Sequence, residues 1–495
     1  MNTHASIRNS QRPFFKASAL ATFMALSACT VGPDFKTPAP SPSQHYDRQA
    51  EQRLGQGEGN DQRIDSGKPV SGDWWSAFGS TKLDAVVRRA IAGNLELAAA
   101  DATIRQAAAS VAAAQGALYP QVSLGAAGGR QRTHNGPEPM VANFYAIGPQ
   151  VNFDLDAFGG TRRQIERQDA LTELQKHRYE AAYLTLTGNV ASQALLIASA
   201  NAQIEAVQQL LANDAKNLEL VRLAKLNGST TQIDVSLAET RLAQDRTLLP
   251  PLAQQRDAAR HALAILTGNG PADWVAPDFA LTEFSLPSNV PLSLPSELAR
   301  QRPDVLQAEA ELHMASAEIG IATANLYPHV ELSASLAMSA AGNGGAALWN
   351  LVAGVAGPLF DGGTREAERQ ASVAGYQASL AGYRQTLIQS FGQVADTLQA
   401  MNHDAEQGQA QADALQAAAT SRQLNQQAYA QGENSVLQVL EAERAYEQAL
   451  LGDIRARTAR YLDTVQLFVA LGGNSVGVFE QQVAGAEARK PAPRS

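Results

Sequence analysis

The sequence of this chain contains an internal duplication, and any fold must accommodate it. Four landmarks recur in the same order at offsets of 203 to 208 residues. They are Leu118-Tyr-Pro120 with Leu326-Tyr-Pro328, Gly159-Gly-Thr-Arg162 with Gly362-Gly-Thr-Arg365, Gly228 with Gly432, and Leu266-Thr-Gly268 with Ala470-Leu-Gly472. Chance similarity between Ala-rich helices would not preserve both order and spacing. The chain therefore contains two copies of one unit of about 200 residues.

Composition excludes several classes of protein. The formal net charge is -9 and no basic block is present, so a general nucleic-acid binder is disfavoured because phosphate backbones would be repelled. A polytopic helical membrane protein is excluded because each span needs about 20 consecutive apolar residues, and the sequence has no such run. The chain has a single cysteine, which provides neither an internal disulfide nor a cysteine pair for zinc.

The N-terminus predicts a lipoprotein. Residues 1–28 combine basic residues with a short apolar stretch, as in a signal peptide, and end in Leu26-Ser-Ala-Cys29, which looks like a bacterial lipobox. We expect N-acyl and S-diacylglycerol groups on Cys29, and Thr30 is compatible with passage to the outer membrane. The alternative is an incidental cysteine beside an ordinary cleavage site. Residues 29–72 would be a lipidated tether rich in Pro, Ser, Gln and Gly.

The rest of the chain divides into a first repeat (73–270), a Pro-rich linker (271–295), a second repeat (296–472) and a C-terminal tail (473–495). Each repeat opens with a predicted helix, at 82–118 and 296–326, which ends at a Tyr-Pro pair because the residue before proline leaves the helical region. Alternation of apolar and polar residues then predicts four strands, at about 120–129, 143–156, 328–339 and 349–360.

The four predicted strands have the length of tilted transmembrane β-strands. An ordinary soluble sheet packed on a core is the alternative. Four strands cannot close a membrane barrel, and an open edge is not tolerated in lipid. If these strands span a membrane, the protein is an oligomer. A trimer would supply about 12 strands and a dimer about 8, and strand counting does not decide between them.

Two very long helices are predicted at 161–226 and 364–430, each about 100 Å long at about 1.5 Å per residue. Apolar residues recur every seven positions and indicate coiled-coil packing; in the first helix they are Val190, Ile197, Ile204, Leu211 and Leu218. Helices of about 35 residues should run back to Gly268 and Gly472. Gly228 and Gly432 would then be hairpin turns at the tips. The predicted fold is mostly α with a small β part.

Nothing in the sequence indicates an enzyme. The eight histidines form no i, i+4 pair or other metal-site pattern, and neither Gly-Gly-Thr-Arg sequence carries the Lys-Ser/Thr of a phosphate-binding loop. Helix capping explains both sequences better. We therefore expect no cofactor and no metal, apart from the covalent lipid.

Several motifs resemble the TolC-type outer membrane factors, in their lipoprotein, NodT-like branch. The matching stretches span about 70 to 472: Asp73-Trp-Trp-Ser-Ala-Phe78, Arg302-Pro-Asp-Val305, Gly357-Pro-Leu-Phe-Asp-Gly-Gly363, Tyr429 with Gly432, and Val439-Leu-Glu-Ala-Glu-Arg444. The resemblance implies a homotrimer with a 12-stranded barrel in the bacterial outer membrane and an α-helical barrel in the periplasm. It also implies an equatorial collar near the linker, a periplasmic adaptor and an inner-membrane pump.

The function that this resemblance implies is passive conduction of small molecules or drugs across the outer membrane. In similar channels a Leu, an acidic residue and an Arg narrow the periplasmic aperture, and the corresponding residues are Leu437, Glu441 and Arg444. Glu441 is one methylene longer than the usual Asp. Alternatively, Glu441 and Arg444 are only a surface ion pair. Gly228 and Gly432 resemble the tip glycines that dock the adaptor, and a helix C-cap is their alternative role. Other functions left open are a type I protein-secretion duct and a non-conducting periplasmic lipoprotein.

Overall fold

The computed structural model describes residues 30–39, 43–53, 62–133, 140–341 and 344–481. Cys29 and the predicted signal peptide therefore lie outside the described residues. The described chain is mostly helical and forms two compact units. The sheet unit contains residues 30–38, 102–175 and 307–384, and the helical unit contains the other described residues. Each repeat contributes to both units, so these units divide the chain differently from the duplication.

The sheet unit is built on one antiparallel sheet of four strands. The first hairpin is formed by Gln121–Thr133 and Met140–Asp154, and the second by His329–Ala341 and Gly344–Ala356. The hairpins join where the strand Met140–Asp154 pairs with His329–Ala341. The fourth strand lies earlier than the predicted 349–360. Ladder pairing continues through a Gly-Ala stretch without side-chain alternation, and Pro358, which has no N–H, lies just beyond the strand end.

Large apolar side chains are exposed on this sheet. Among the most exposed are Val122, Leu124, Trp349, Leu351 and Val355, each more than 70% accessible. The strands Gln121–Thr133 and Gly344–Ala356 are the two edges, and each is paired on one side only within the described chain. In water such a surface would promote aggregation. The sheet therefore needs lipid or further protein around it.

Two helices of 67 residues each follow the hairpins, and we call them the outgoing helices. They run over Gly160–Leu226 and Thr364–Ala430, close to the predicted 161–226 and 364–430. Among the described residues, one helix, Gly160–Leu226, contains a stretch long and apolar enough to cross a membrane, and 61% of that stretch is buried. Such burial is typical of a core helix.

The return helices differ between the repeats. The second return helix is continuous over Val436–Ala470, which is 35 residues as predicted. The prediction of a single return helix in the first repeat is wrong, because two helices cover it, Gln232–Arg246 and Leu249–Leu266. Pro250 and Pro251 occupy the first turn of the later helix, where their missing N–H groups leave no helical hydrogen bond unmade.

The helices that open the repeats are also divided. The predicted helix 82–118 consists of Thr81–Gly93 and Leu95–Gly116, and the Asn94 side chain accepts a hydrogen bond of 3.0 Å from the Leu97 N–H at the start of the later helix. The predicted helix 296–326 consists of Pro295–Leu298 and Pro303–Ala324. Asn and Pro favour helix starts, so each break occurs where a new helix can begin.

Within the helical unit, the predicted tether and the predicted linker are in contact. Arg63–Ser66 forms a short parallel pair with Asn289–Leu292, and the hydroxyl of Tyr46 donates a hydrogen bond of 2.8 Å to the Ser293 carbonyl. The Trp-Trp motif is also accounted for here. Trp74 packs against Phe468 at 5.5 Å between ring centroids, and both rings are buried. These described parts of the tether are docked rather than free.

Candidate functional site

The two tip glycines end the outgoing helices in the same way. Gly228 has φ of 73° and Gly432 has φ of 76°, a left-handed conformation that side chains disfavour. In each tip the glycine N–H donates to the carbonyl three residues earlier, and the next N–H donates five residues back, to Ala224 or Ala428. These bonds form the Schellman motif that closes a helix end. The C-cap role of both glycines is therefore present.

Both tip glycines also face open space. A Cβ built on Gly228 or Gly432 would meet no atom within 4 Å among the described residues. Conformation, rather than crowding within the chain, is what requires glycine at these two positions. An approaching partner would meet bare backbone there, and the docking role of the two glycines stays a prediction.

The three predicted aperture residues lie on one face of the second return helix. Leu437, Glu441 and Arg444 follow at i, i+4 and i+7, and all three are exposed. Among the ion pairs of the described residues, none joins Glu441 to Arg444, so the surface-pair alternative has no contact to support it within the chain. The face is therefore accessible to solvent or to another subunit.

The neighbouring side of this helix is anchored in a core that joins the two helical hairpins, each made of an outgoing helix and the return segment that follows it. Val436 and Leu440 are buried against residues of the first outgoing and first return helices, namely Leu218, Val221, Val235, Ala238 and Leu242. The parts of both helical hairpins that pack here belong to the helical unit. Packing of this kind fixes the rotation of the return helix, because turning it would expose Leu440. The direction in which the aperture residues point is thus determined by the core.

Sequence reasoning missed a cluster of buried charges between the two hairpins. We call Asp214, Arg241, Asp245, Glu443 and Glu447 the buried charge cluster. Their side chains are less than 15% exposed, and the Arg241 Nε atom lies 2.8 Å from Asp245 Oδ2, while its guanidinium also contacts Glu447. Arg241 thus links the first return helix to the second.

The two other acids of the cluster are Glu443 and Asp214. Gln426 donates a hydrogen bond of 2.6 Å to Glu443, and the Arg422 guanidinium lies 3.9 Å from the same carboxylate. Burial, together with the neighbouring Asp245, raises the pKa of Asp214 to about 8. A carboxyl group buried beside other acids favours its neutral form. The sequence did carry a signal, because Asp214 lies three residues after Leu211, at an inward position of the heptad.

The other predictions about sites concern the lipid on Cys29 and the binding of metal ions. Cys29 lies outside the described residues, so its lipidation stays a prediction. Within the part of the chain that the structure describes, no group of three or more His, Cys, Asp or Glu side chains could hold a metal ion.

Comparison with known proteins gives a family. Residues 86–269 and 294–473 each match the family model described as outer membrane efflux protein. These two matches fall on the two repeats, at 73–270 and 296–472.

Individual relatives cover most of the chain. The pyoverdine export outer membrane protein OpmQ of Pseudomonas aeruginosa is 31% identical over 81% of this chain and 87% of its own length. The cation efflux system protein CusC of Escherichia coli is 26% identical over 91% and 97%. Among solved structures, the outer-membrane channel OprN superposes with a TM-score of 0.83 at 26% identity, over 90% of this chain and 99% of the other.

Proposed function

Because the chain belongs to the outer membrane efflux protein family, we propose that it is the outer-membrane channel of a tripartite efflux system. It conducts small molecules passively, and the inner-membrane pump supplies the energy. The observation that carries this proposal is the four-stranded sheet, with exposed apolar side chains and two open edges. Three copies would pair these edges into a barrel of about 12 strands, which removes every edge from the lipid.

We propose that Cys29 carries the covalent lipid that holds each subunit at the outer membrane. Two or three acyl chains suffice for stable attachment, since each buried CH2 contributes about 0.8 kcal/mol. The lipobox and the single cysteine support this assignment.

The second return helix would form the periplasmic aperture. In a trimer, Leu437, Glu441 and Arg444 would repeat three times around the axis, so that one apolar ring and two charged rings narrow the duct. Their common exposed face and the core packed against the neighbouring side of the helix support this role. Gly228 and Gly432 would receive a periplasmic adaptor. A bulky residue at Gly432 that leaves the trimer folded but abolishes efflux would favour docking over capping.

The cargo depends on the pump. OpmQ is named for pyoverdine export and CusC for cation efflux, so channels similar to this chain serve different substrates. A type I secretion duct would share the architecture and differ only in cargo.

The decisive experiment is to extract the protein from outer membranes, determine its oligomeric state and reconstitute it into a planar bilayer. We expect a heat-modifiable trimer with a small, mostly closed conductance. A monomer without conductance, released by removal of the lipid anchor alone, would overturn the proposal in favour of a structural lipoprotein.

A further inference from the structure

The N-terminal residues 30–37, which we call the strap, are docked on the sheet unit. The Val31 N–H donates a hydrogen bond of 3.1 Å to the Phe158 carbonyl. Phe35 stacks on His313 with 4.3 Å between ring centroids, and the Thr37 hydroxyl donates to Glu309 at 2.7 Å. This part of the predicted tether therefore has a fixed course.

Arg163 is the centre of this contact. Its side chain is only 4% exposed. The guanidinium donates to the Val31 carbonyl at 3.1 Å, the Gly32 carbonyl at 3.3 Å and Asp34 at 2.8 Å, and Glu166 accepts a further hydrogen bond of 2.7 Å. Two of these four acceptors are backbone carbonyls of the strap. Arg163 therefore holds the backbone of the strap in place, in addition to pairing with the charge of Asp34. A lysine could not reach them together, because it lacks the planar fork.

Two glycines make room for the strap. Gly32 has φ of 93°, and a Cβ placed there would lie 2.5 Å from the Cα of Gly320. A Cβ on Gly320 would in turn lie 2.7 Å from the Arg163 side chain. The strap, the helix Pro303–Ala324 and the Arg163 side chain therefore fit together only when residues 32 and 320 are both glycine.

The duplication provides an internal comparison. The first Gly-Gly-Thr-Arg sequence is followed by Arg163, and the second by Glu366. Thr30 lies against Gly159 of the first junction, whereas a Cβ on Gly362 or Gly363 of the second would meet no described atom within 4 Å. Glu366 pairs instead with Arg369 of its own helix. Arg163 is therefore not needed to start a helix of this kind.

We propose that Arg163 is a positioning residue that holds the strap on the sheet unit and so fixes where the chain leaves it. Thr30 lies beside Gly159, just after the strand Met140–Asp154 ends, and Cys29 is the next residue towards the N-terminus. The docked strap therefore begins, at its first described residue, beside the end of this strand. This inference rests on the proposed function, because it assigns Arg163 to the anchoring of that channel.

The test uses the exposed Lys36 as a trypsin site within the strap. In the full-length protein from outer membranes, cleavage after Lys36 should be slow, and in Arg163→Ala it should be about tenfold faster or more, because proteolysis follows the undocked population. Arg163→Lys should also be cleaved faster.

Two control variants should behave like the parent. Asp34→Ala, which removes a carboxylate that is 88% exposed, should change the rate by less than about threefold. Arg167→Ala is the matched control, because Arg167 lies on the same helix as Arg163 and its pair with Glu318 is exposed.

Gly32→Ala releases the strap without changing the body of the sheet unit, and it keeps the test valid if Arg163→Ala does not fold. Equal cleavage of Lys36 in the parent, Arg163→Ala and Gly32→Ala would overturn the inference. Heat-modifiable migration and conductance are recorded on the same samples. A protected strap in a non-conducting protein would contradict the proposed function alone, and an unprotected strap in a conducting trimer would contradict the inference alone.

Discussion

The two return helices present the same positions to their surroundings with different chemistry. At the repeat offset of 204, Leu437, Glu441 and Arg444 of the second copy correspond to Ile233, Leu237 and Thr240 of the first. All six are exposed, and Ile233 is the most exposed of the apolar ones at 78%. The duplication thus preserved a helical hairpin, while only the second copy carries charge on this face. Charge here is a property of one copy and not a requirement of the fold.

The interior of the hairpins differs as well. Glu239 of the first copy forms an exposed pair with Arg222, whereas its counterpart Glu443 is 1% exposed and belongs to the buried charge cluster. The first return limb is interrupted at Pro250, and the second is continuous. The continuous helix therefore carries both the predicted aperture face and buried acids, which makes its packing sensitive to charge.

The largest effect is expected when the link between the two hairpins is removed. Arg241→Ala leaves Asp245 and Glu447 buried without this cation, and breaking a buried ion pair costs about 3–5 kcal/mol. Denaturant or thermal unfolding of the detergent-extracted protein should show this loss. Arg222→Ala is the matched control, because its pair with Glu239 is more than 40% exposed on both sides and contributes about 0–1 kcal/mol. Equal losses in the two variants would contradict a special role for the cluster.

The next effect concerns the charged face of the second copy. In Glu441→Ala/Arg444→Ala, closure should loosen, so that the open fraction in a planar bilayer rises about tenfold, which corresponds to about 1.4 kcal/mol. Leu237→Ala/Thr240→Ala changes the corresponding positions of the first copy and should leave the conductance within about twofold of the parent, since it removes no charge. Unchanged conductance and unchanged antibiotic leak in the first variant would remove these residues from the aperture.

Much of this architecture could be predicted because its signals are local. The Gly-to-Gly spacing predicted the tips, since glycine readily adopts the positive φ that closes a helix at Gly228 and Gly432. Alternation gave the strands where side chains differ in polarity, and failed in the Gly-Ala start of the fourth strand at Gly344, where register is dictated by the partner strand. The break at Pro250 was missed, because the prediction of one return helix followed the repeat spacing alone.

The buried polar contacts could not be predicted with the same reliability, because they join residues far apart in sequence. Arg163 contacts Val31 across 132 residues, and Arg241 contacts Glu447 across 206. Neither residue is distinguishable in the sequence from an exposed arginine on a helix. Asp214 did carry a local signal, since an acid at an inward heptad position is unfavourable unless it is neutral or paired, but it was not identified from the sequence.

The third prediction concerns pH. Burial and a neighbouring carboxylate raise the pKa of Asp214 in the first hairpin to about 8, and that of Asp463 in the second hairpin to about 7 through burial and Asp404. The folded state therefore keeps protons that the unfolded chain releases above about pH 4. Stability from these groups is fully present below that pH and is lost as the pH rises through 7 to 8.

Asp214→Asn removes the loss of stability that Asp214 causes at high pH. Its apparent Tm should match the parent near pH 5 and exceed it near pH 8, with a gain in stability of at least the ~1.4 kcal/mol that one pKa unit represents. Asp463→Asn should give the same pattern at slightly lower pH. Asp257→Asn, which changes an acid whose side chain is 50% exposed, is the matched control. A parent protein equally stable at pH 5 and pH 8 would contradict the sign of this argument.

The smallest effect distinguishes how the two return helices begin. The Thr231 hydroxyl accepts a hydrogen bond from the Asp234 N–H, and Asp234 accepts one of 2.8 Å from the Thr231 N–H, so both ends of this capping box are formed. At the second helix, the Ser435 N–H donates to Gln438 at 3.2 Å, but among the described residues no backbone N–H donates a cap hydrogen bond to the Ser435 hydroxyl. Thr231→Ala should therefore cost about 1 kcal/mol and Ser435→Ala a few tenths. Unfolding of the two variants under identical conditions measures the difference. An equal loss would mean that the first tip is held by its Schellman turn and core rather than by its cap.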